Sequence, residues 1–156
     1  MAQRISTHPF QRLAFTGVAV AFTLAAAGTP ATTFAQQGSM KIQLHTDGAI
    51  ATAILDNNAA TRDFLAQLPL SLTLQNYAEI ERIATLPRKL STPAASTGMT
   101  PVTGDIAYYA PWGNLAIYLS GTVHDRGLVR LGKVDSGLAA LQRPGPFTVR
   151  IERASD

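Results

Sequence analysis

The chain has 156 residues, the length of one domain. It contains no cysteine, which excludes thiol chemistry, Cys-ligated zinc and a lipid-modified N-terminal cysteine. Thirteen Lys and Arg face ten Asp and Glu, but Arg4 and Arg12 precede the first acidic residue, Asp47, so beyond residue 35 eleven basic residues meet ten acidic ones; no basic tract remains that would bind nucleic acid.

Residues 1–35 read as a secretory signal peptide. Arg4 and Arg12 make the positive region, residues 13–27 run without a charge, and Thr33 and Ala35 place small residues three and one positions before a cut after Ala35. The uncharged run is shorter than the about 20 residues that span a bilayer, and Gly28 and Pro30 follow it. The expectation is a cleaved, exported product, periplasmic or secreted, with no membrane attachment after cleavage. Residues 36–39 read as a short linker, and 40–154 as the domain.

Ile42 and Leu44 alternate with Lys41 and Gln43, Thr46-Asp47-Gly48 supplies a turn, and residues 50–55 place Ile50, Thr52 and Ile54 on one side. This predicts an N-terminal β-hairpin. Asp56-Asn57-Asn58 offers N-cap oxygens, and Ala60, Phe64 and Leu68 at spacings of four predict a short amphipathic helix over 59–68, stopped by Pro69. From Leu70 the period becomes two, with Leu70, Leu72 and Leu74 against Ser71, Thr73 and Gln75, which predicts a strand. Residues 77–86 fit two patterns: Tyr77, Ile80, Ile83 and Leu86 have a helix-like spacing of three, and 83–86 fits a short strand. Residues 91–103, rich in Ser, Thr, Pro, Ala and Gly, predict a long surface loop.

Two further strands, 105–110 and 115–119, flank the turn-forming Pro111-Trp112-Gly113-Asn114. Residues 128–134 predict another strand, Asp135-Ser136 a cap for a single helical turn over 137–141, and 147–151 a closing strand with Phe147, Val149 and Ile151 on one face. Seven or eight short strands with two short helices predict a mainly β fold, a closed barrel. Closure also removes exposed edges.

The stretch GDIAYYAPWGNLAIY, Gly104 to Tyr118, resembles a bacterial family of small cyclophilin-like proteins of mostly unassigned function. Three shorter pieces follow the same order: LPRKL from Leu86, LVRLGK from Leu128 and DSGL from Asp135. The resemblance spans 40–152 and implies a cyclophilin-like closed β-barrel with two short helices at its ends. Prolyl isomerases of that superfamily use an Arg followed closely by Phe, Met and Gln, with a Trp and a His on later segments. That cluster is not found: Arg88 is followed by Lys89 and Leu90.

The candidate ligand-binding residues are Arg88, Tyr109, Trp112 and His124. Arg88 sits in a basic loop. Tyr108 and Tyr109, being adjacent on a strand, face opposite sides, so one of them at most lines a given pocket. Trp and Tyr combine apolar area with a polar handle. His124-Asp125-Arg126 is a titratable cluster without a nucleophile-elbow serine and reads as loop surface. Glu79, Glu81 and Arg82 read as a solvated face. His45 and His124 lack metal-ligand spacing, and no glycine pattern cradles a phosphate, so neither a metal nor a cofactor is expected. The expectation is an exported binding module for a peptide segment or small molecule, without efficient catalysis; the alternative is a periplasmic peptidyl-prolyl isomerase. Nothing in the sequence sets an oligomeric state.

Overall fold

A computed structural model describes residues 40–92 and 97–155. The expected signal peptide and linker lie outside the described residues. Eight strands follow in order: β1 (Lys41–Thr46), β2 (Ala49–Leu55), β3 (Leu70–Tyr77), β4 (Glu81–Thr85), β5 (Asp105–Tyr109), β6 (Asn114–Tyr118), β7 (Leu128–Ser136) and β8 (Phe147–Arg153). A helix, α1 (Ala59–Leu65), joins β2 to β3, and a 3-10 turn (Leu138–Leu141) joins β7 to β8. The strands close into one barrel in the spatial order β1-β2-β7-β5-β6-β4-β3-β8, each paired antiparallel with its neighbours.

Period-two alternation decides which side chains enter the barrel. Ile42 and Leu44 of β1, Leu72 and Leu74 of β3, and Val149 and Ile151 of β8 are buried in one core. On β2 the small residues Ala51 and Ala53 point inward with Leu55, leaving β-branched Ile50 and Ile54 exposed. From outside the sheet, α1 sends Ala60, Phe64 and Leu65 into the same core, and the 3-10 turn adds Leu141. Asn58 caps α1, its side chain accepting from the Thr61 amide at 2.9 Å. The helix ends at Leu65, three residues before the sequence-based expectation. The Gln67 and Leu68 amides donate to the carbonyls three residues back, Phe64 and Leu65, so the last turn tightens before Pro69.

Two expectations change. Asp135 and Ser136 do not cap a helix; they continue β7, where both side chains bond Thr52 on the neighbouring β2. The turn begins instead at Gly137, whose φ of 73° is left-handed. Arg82 is not on a solvated face. Strand alternation turns it into the barrel at 4% exposure, where Nε donates to the Leu141 carbonyl at 3.0 Å, Nη2 donates to the Arg143 carbonyl, and the guanidinium lies 5.7 Å from the Phe147 ring centre.

The ambiguous 77–86 segment resolves into a tight turn and β4. The Ile80 amide donates to the Tyr77 carbonyl at 3.1 Å, with Ala78 (φ 48°) and Glu79 (φ 59°) both left-handed between them. Neither is the glycine or asparagine such a turn favours.

One wall of the barrel is buried on both faces. Ile106, Tyr108, Leu115 and Ile117 of β5 and β6 point inward, while Ala107, Ala116 and Tyr118 point outward and are also buried, forming with Leu128 a second, smaller apolar cluster. The connections on either side cover this wall. They are tied by a bridge in which Met99 and Asp125 exchange amide-to-carbonyl bonds of 3.1 and 3.0 Å.

Candidate functional site

The cover is incomplete, and the gap is a cleft of about 260 Å³ on the outer wall. Its floor comes from outward-facing residues of adjacent strands: Glu81 and Ile83 on β4, Asn114, Ala116 and Tyr118 on β6, with Tyr109 and Leu128 beside them. Its sides come from connections: Tyr77 and Ile80 from the β3–β4 turn, Trp112 from the β5–β6 turn, and Thr122, Val123 and Asp125 from the segment before β7. Small-molecule sites span about 300–1,000 Å³, so this one suits a small ligand or a side chain or two.

Three rings dominate it. Trp112 meets Tyr77 edge-on (centres 6.0 Å apart, planes at 76°) and Tyr109 edge-on (5.2 Å, 88°), the arrangement that ring quadrupoles favour. Trp112 remains 56% exposed. Its position is set by Gly113 (φ 75°), whose amide donates to the Tyr109 carbonyl at 2.9 Å. Gly127 makes room for the same ring set: a Cβ there would lie 2.6 Å from Tyr109 Cε2 and 3.0 Å from Pro111. At the rim, Asp125 Oδ1 accepts from the Gly127 amide at 2.7 Å.

The polar end of the cleft is acidic. Burial pushes the Glu81 carboxyl above its ordinary pKa; a hydrogen bond from the Tyr118 hydroxyl pulls the other way, and the Asp125 charge pushes it up again. Burial, followed by the Glu81 charge, raises the Tyr118 phenol beyond its usual range, so the phenol stays protonated beside Glu81. Among the described residues, neither Glu81 nor Asp125 belongs to an ion pair and no Lys, Arg or His lines the cleft.

A sequence profile described as the cyclophilin-like family matches residues 44–152. The chain belongs to the cyclophilin-like family. Among solved structures, the hypothetical protein AF2241 from Archaeoglobus fulgidus is similar to this cyclophilin-like protein, with a TM-score of 0.61 at 17% identity, covering 74% of this chain and 95% of the archaeal one. At that identity the likeness shows a shared fold. No curated protein matches the sequence.

Of the residues singled out in the sequence, Tyr109 and Trp112 meet in the cleft of this cyclophilin-like barrel. Arg88 does not join them. It lies in a shallow depression with Asp63, Ala66, Gln67 and Lys89, its amide and carbonyl both bonded by the Gln67 side chain at 3.2 Å. His124 stands on the rim segment but its ring is engaged with the Thr97 carbonyl at 3.0 Å, outside the lining. Tyr108 faces the interior, where its hydroxyl accepts from the Leu90 amide at 3.3 Å. Sequence reasoning missed Tyr77, Glu81 and Asp125 as neighbours of Trp112. A signal existed for Glu81: once residues 81–85 are read as a strand, Glu81 and Ile83 share a face opposite Arg82.

Proposed function

We propose that this cyclophilin-like protein is an exported binding module that holds a small molecule or short peptide segment in the outer-wall cleft. The observation that carries the proposal is the gathering of Tyr77, Tyr109 and Trp112 at one concave place, with Trp112 more than half exposed. Large aromatic rings left reachable at a concavity supply contact area at little entropic cost. Export rests on the order of charged, apolar and small residues in 1–35.

Binding without efficient catalysis is the favoured reading because, among the described residues, no Ser, Cys, His or Lys lines the cleft as a nucleophile for its carboxylates, Glu81 and Asp125, to activate. Prolyl isomerisation would need a donor such as Arg aimed at the twisted amide, and Arg88 lies off the cleft. A protease-coupled proline-peptide assay should therefore return the uncatalysed rate.

A compound library screened through the emission of Trp112, the chain's one tryptophan, tests the binding reading, with calorimetry on variants. Hits should bind Arg88→Ala and His124→Ala as they bind the parent, and lose about tenfold or more in affinity with Trp112→Ala. Affinity unchanged in Trp112→Ala and lost in Arg88→Ala would move the site.

A further inference from the structure

The chemistry of the cleft narrows the ligand. Its three rings meet in different planes, Trp112 edge-on to both tyrosines, and all three line the cleft, so a ligand there lies against aromatic surface. Below them lies the half-buried Glu81 carboxylate, and Asp125 stands at the rim. Among the described residues no Lys or Arg contributes to this lining, and neither carboxylate has an ion-pair partner.

An anion would meet two carboxylates and no donor cation. A neutral apolar ligand would fill the rings but bring the partly buried Glu81 carboxylate no counter-charge. A bare divalent cation wants six to eight oxygen ligands, or near-ideal octahedral oxygen geometry, and no group of three or more His, Cys, Asp or Glu gathers among the described residues. An organic cation satisfies every part of the site: its alkyl groups lie on the rings, its charge is attracted by their faces, and the carboxylates supply counter-charge.

We infer that the cleft recognises an alkylammonium group, seated among Tyr77, Tyr109 and Trp112 with Glu81 and Asp125 as its counter-charges. The inference rests on the binding-module reading and specifies its ligand class. The small volume, about 260 Å³, accommodates the head of a quaternary or methylated amine. Glu81 is the principal selector, because it lies partly buried on the cleft floor, whereas Asp125 is exposed at the rim.

The test compares choline with 3,3-dimethylbutan-1-ol, which replaces the nitrogen by carbon and so keeps the shape without the charge. Trp112 emission reports on the parent, and calorimetry compares variants. Choline should bind saturably, and about tenfold or more tighter than its neutral isostere. Glu81→Gln should reduce choline affinity about tenfold and leave the isostere's unchanged, while Glu79→Gln, outside the lining, leaves both as in the parent. Circular dichroism confirms that each variant is folded. A trimethyllysine peptide run beside choline separates the two sources of the same group: tighter binding of the peptide assigns the ammonium to a polypeptide, tighter binding of choline to a free amine, and either supports the inference. Equal affinity for choline and its isostere overturns it while leaving the cleft as a binding site. Choline that fails to bind while a neutral or anionic library hit occupies the cleft has the same meaning. If no compound of any charge perturbs Trp112, the binding-module reading fails too.

Discussion

Replacing Gly132 by alanine probes the seam that seals the barrel. Gly132 on β7 stands opposite Leu55 on β2. A Cβ at that position would lie 2.7 Å from Leu55 Cα and 2.9 Å from Leu55 Cδ2, and nearer still to the Ile54 carbonyl oxygen, where ordinary contact begins at 3.4 Å. The strands must therefore part locally by at least 3.4 less 2.7, or 0.7 Å, because the obstruction is mainly backbone and not the tip of a movable side chain. A ladder bond stretched that far from about 2.9 Å leaves hydrogen-bonding range. One or two such bonds are worth about 1 kcal/mol each, and overpacking strain adds about 1–3 kcal/mol. The total is about 3 kcal/mol, equivalent to a fall of about 10 °C in Tm for a domain of this size. Thermal unfolding followed by far-UV circular dichroism measures it, with Gly121→Ala as the control. A Cβ at Gly121 meets nothing closer than 3.5 Å, so the control should stay within about 0.5 kcal/mol of the parent. A Gly132→Ala protein melting within about 2 °C of the parent would refute the close approach of β2 and β7.

Three further outcomes follow from local features. Ala78→Gly removes the side chain from a left-handed residue in the β3–β4 turn and should stabilise the protein by about 1 kcal/mol in urea unfolding; a loss of stability would contradict the turn geometry. Asn58→Ala removes both the α1 cap and a 2.9 Å bond to the Arg130 carbonyl, and should cost about 1–2 kcal/mol by the same measurement, with no change counting against the cap. Burial raises the folded pKa of Glu81 above 4.5, so between 4.5 and that raised value the native state holds more protons than the unfolded chain. Unliganded stability then falls as pH rises through that window and stays lower above it. Glu81→Gln should flatten that decline in a pH series of urea melts. Asp135, held below 3.8 chiefly by the Thr52 hydroxyl, acts in the opposite sense and at lower pH, losing its stabilising contribution as pH falls through its folded value, so the two windows do not overlap. An unchanged pH profile in Glu81→Gln would contradict the desolvation of that carboxylate.

The parts legible in the sequence were those where one face meets oil and the other water. β1, β3 and β8 alternate cleanly, so their existence and their buried faces follow from period two, and the residues quoted for the family resemblance lie within the matched stretch, 44–152. The 77–86 segment was ambiguous for a physical reason: its turn is built on Ala78 and Glu79, which carry none of the glycine, asparagine or proline that marks a turn in sequence. The site was half legible. Tyr109 and Trp112 stood out by residue type, but Arg88 was grouped with them on its charge, and only folding shows it at the foot of α1 against Gln67. Glu81 and Asp125 belong to segments more than forty residues apart, joined by strand pairing of β4 with β6. One cue was available. β5 and β6, DIAYY and NLAIY, are apolar on both faces, and a strand of that kind is covered on both, which marks the wall where a second layer, and a cleft within it, must lie.

The central claim is that ligand meets the barrel at its outer wall, over β4 and β6, and not at the Arg88 loop. Amide and indole chemical shifts recorded during titration with choline test it most directly. The largest changes should fall at Tyr77, Glu81, Tyr109, Trp112, Tyr118 and Asp125, with Arg88, Lys89 and the Leu141–Arg143 segment unmoved. Shifts centred on Arg88 and Gln67, with the Trp112 indole unchanged, would contradict it.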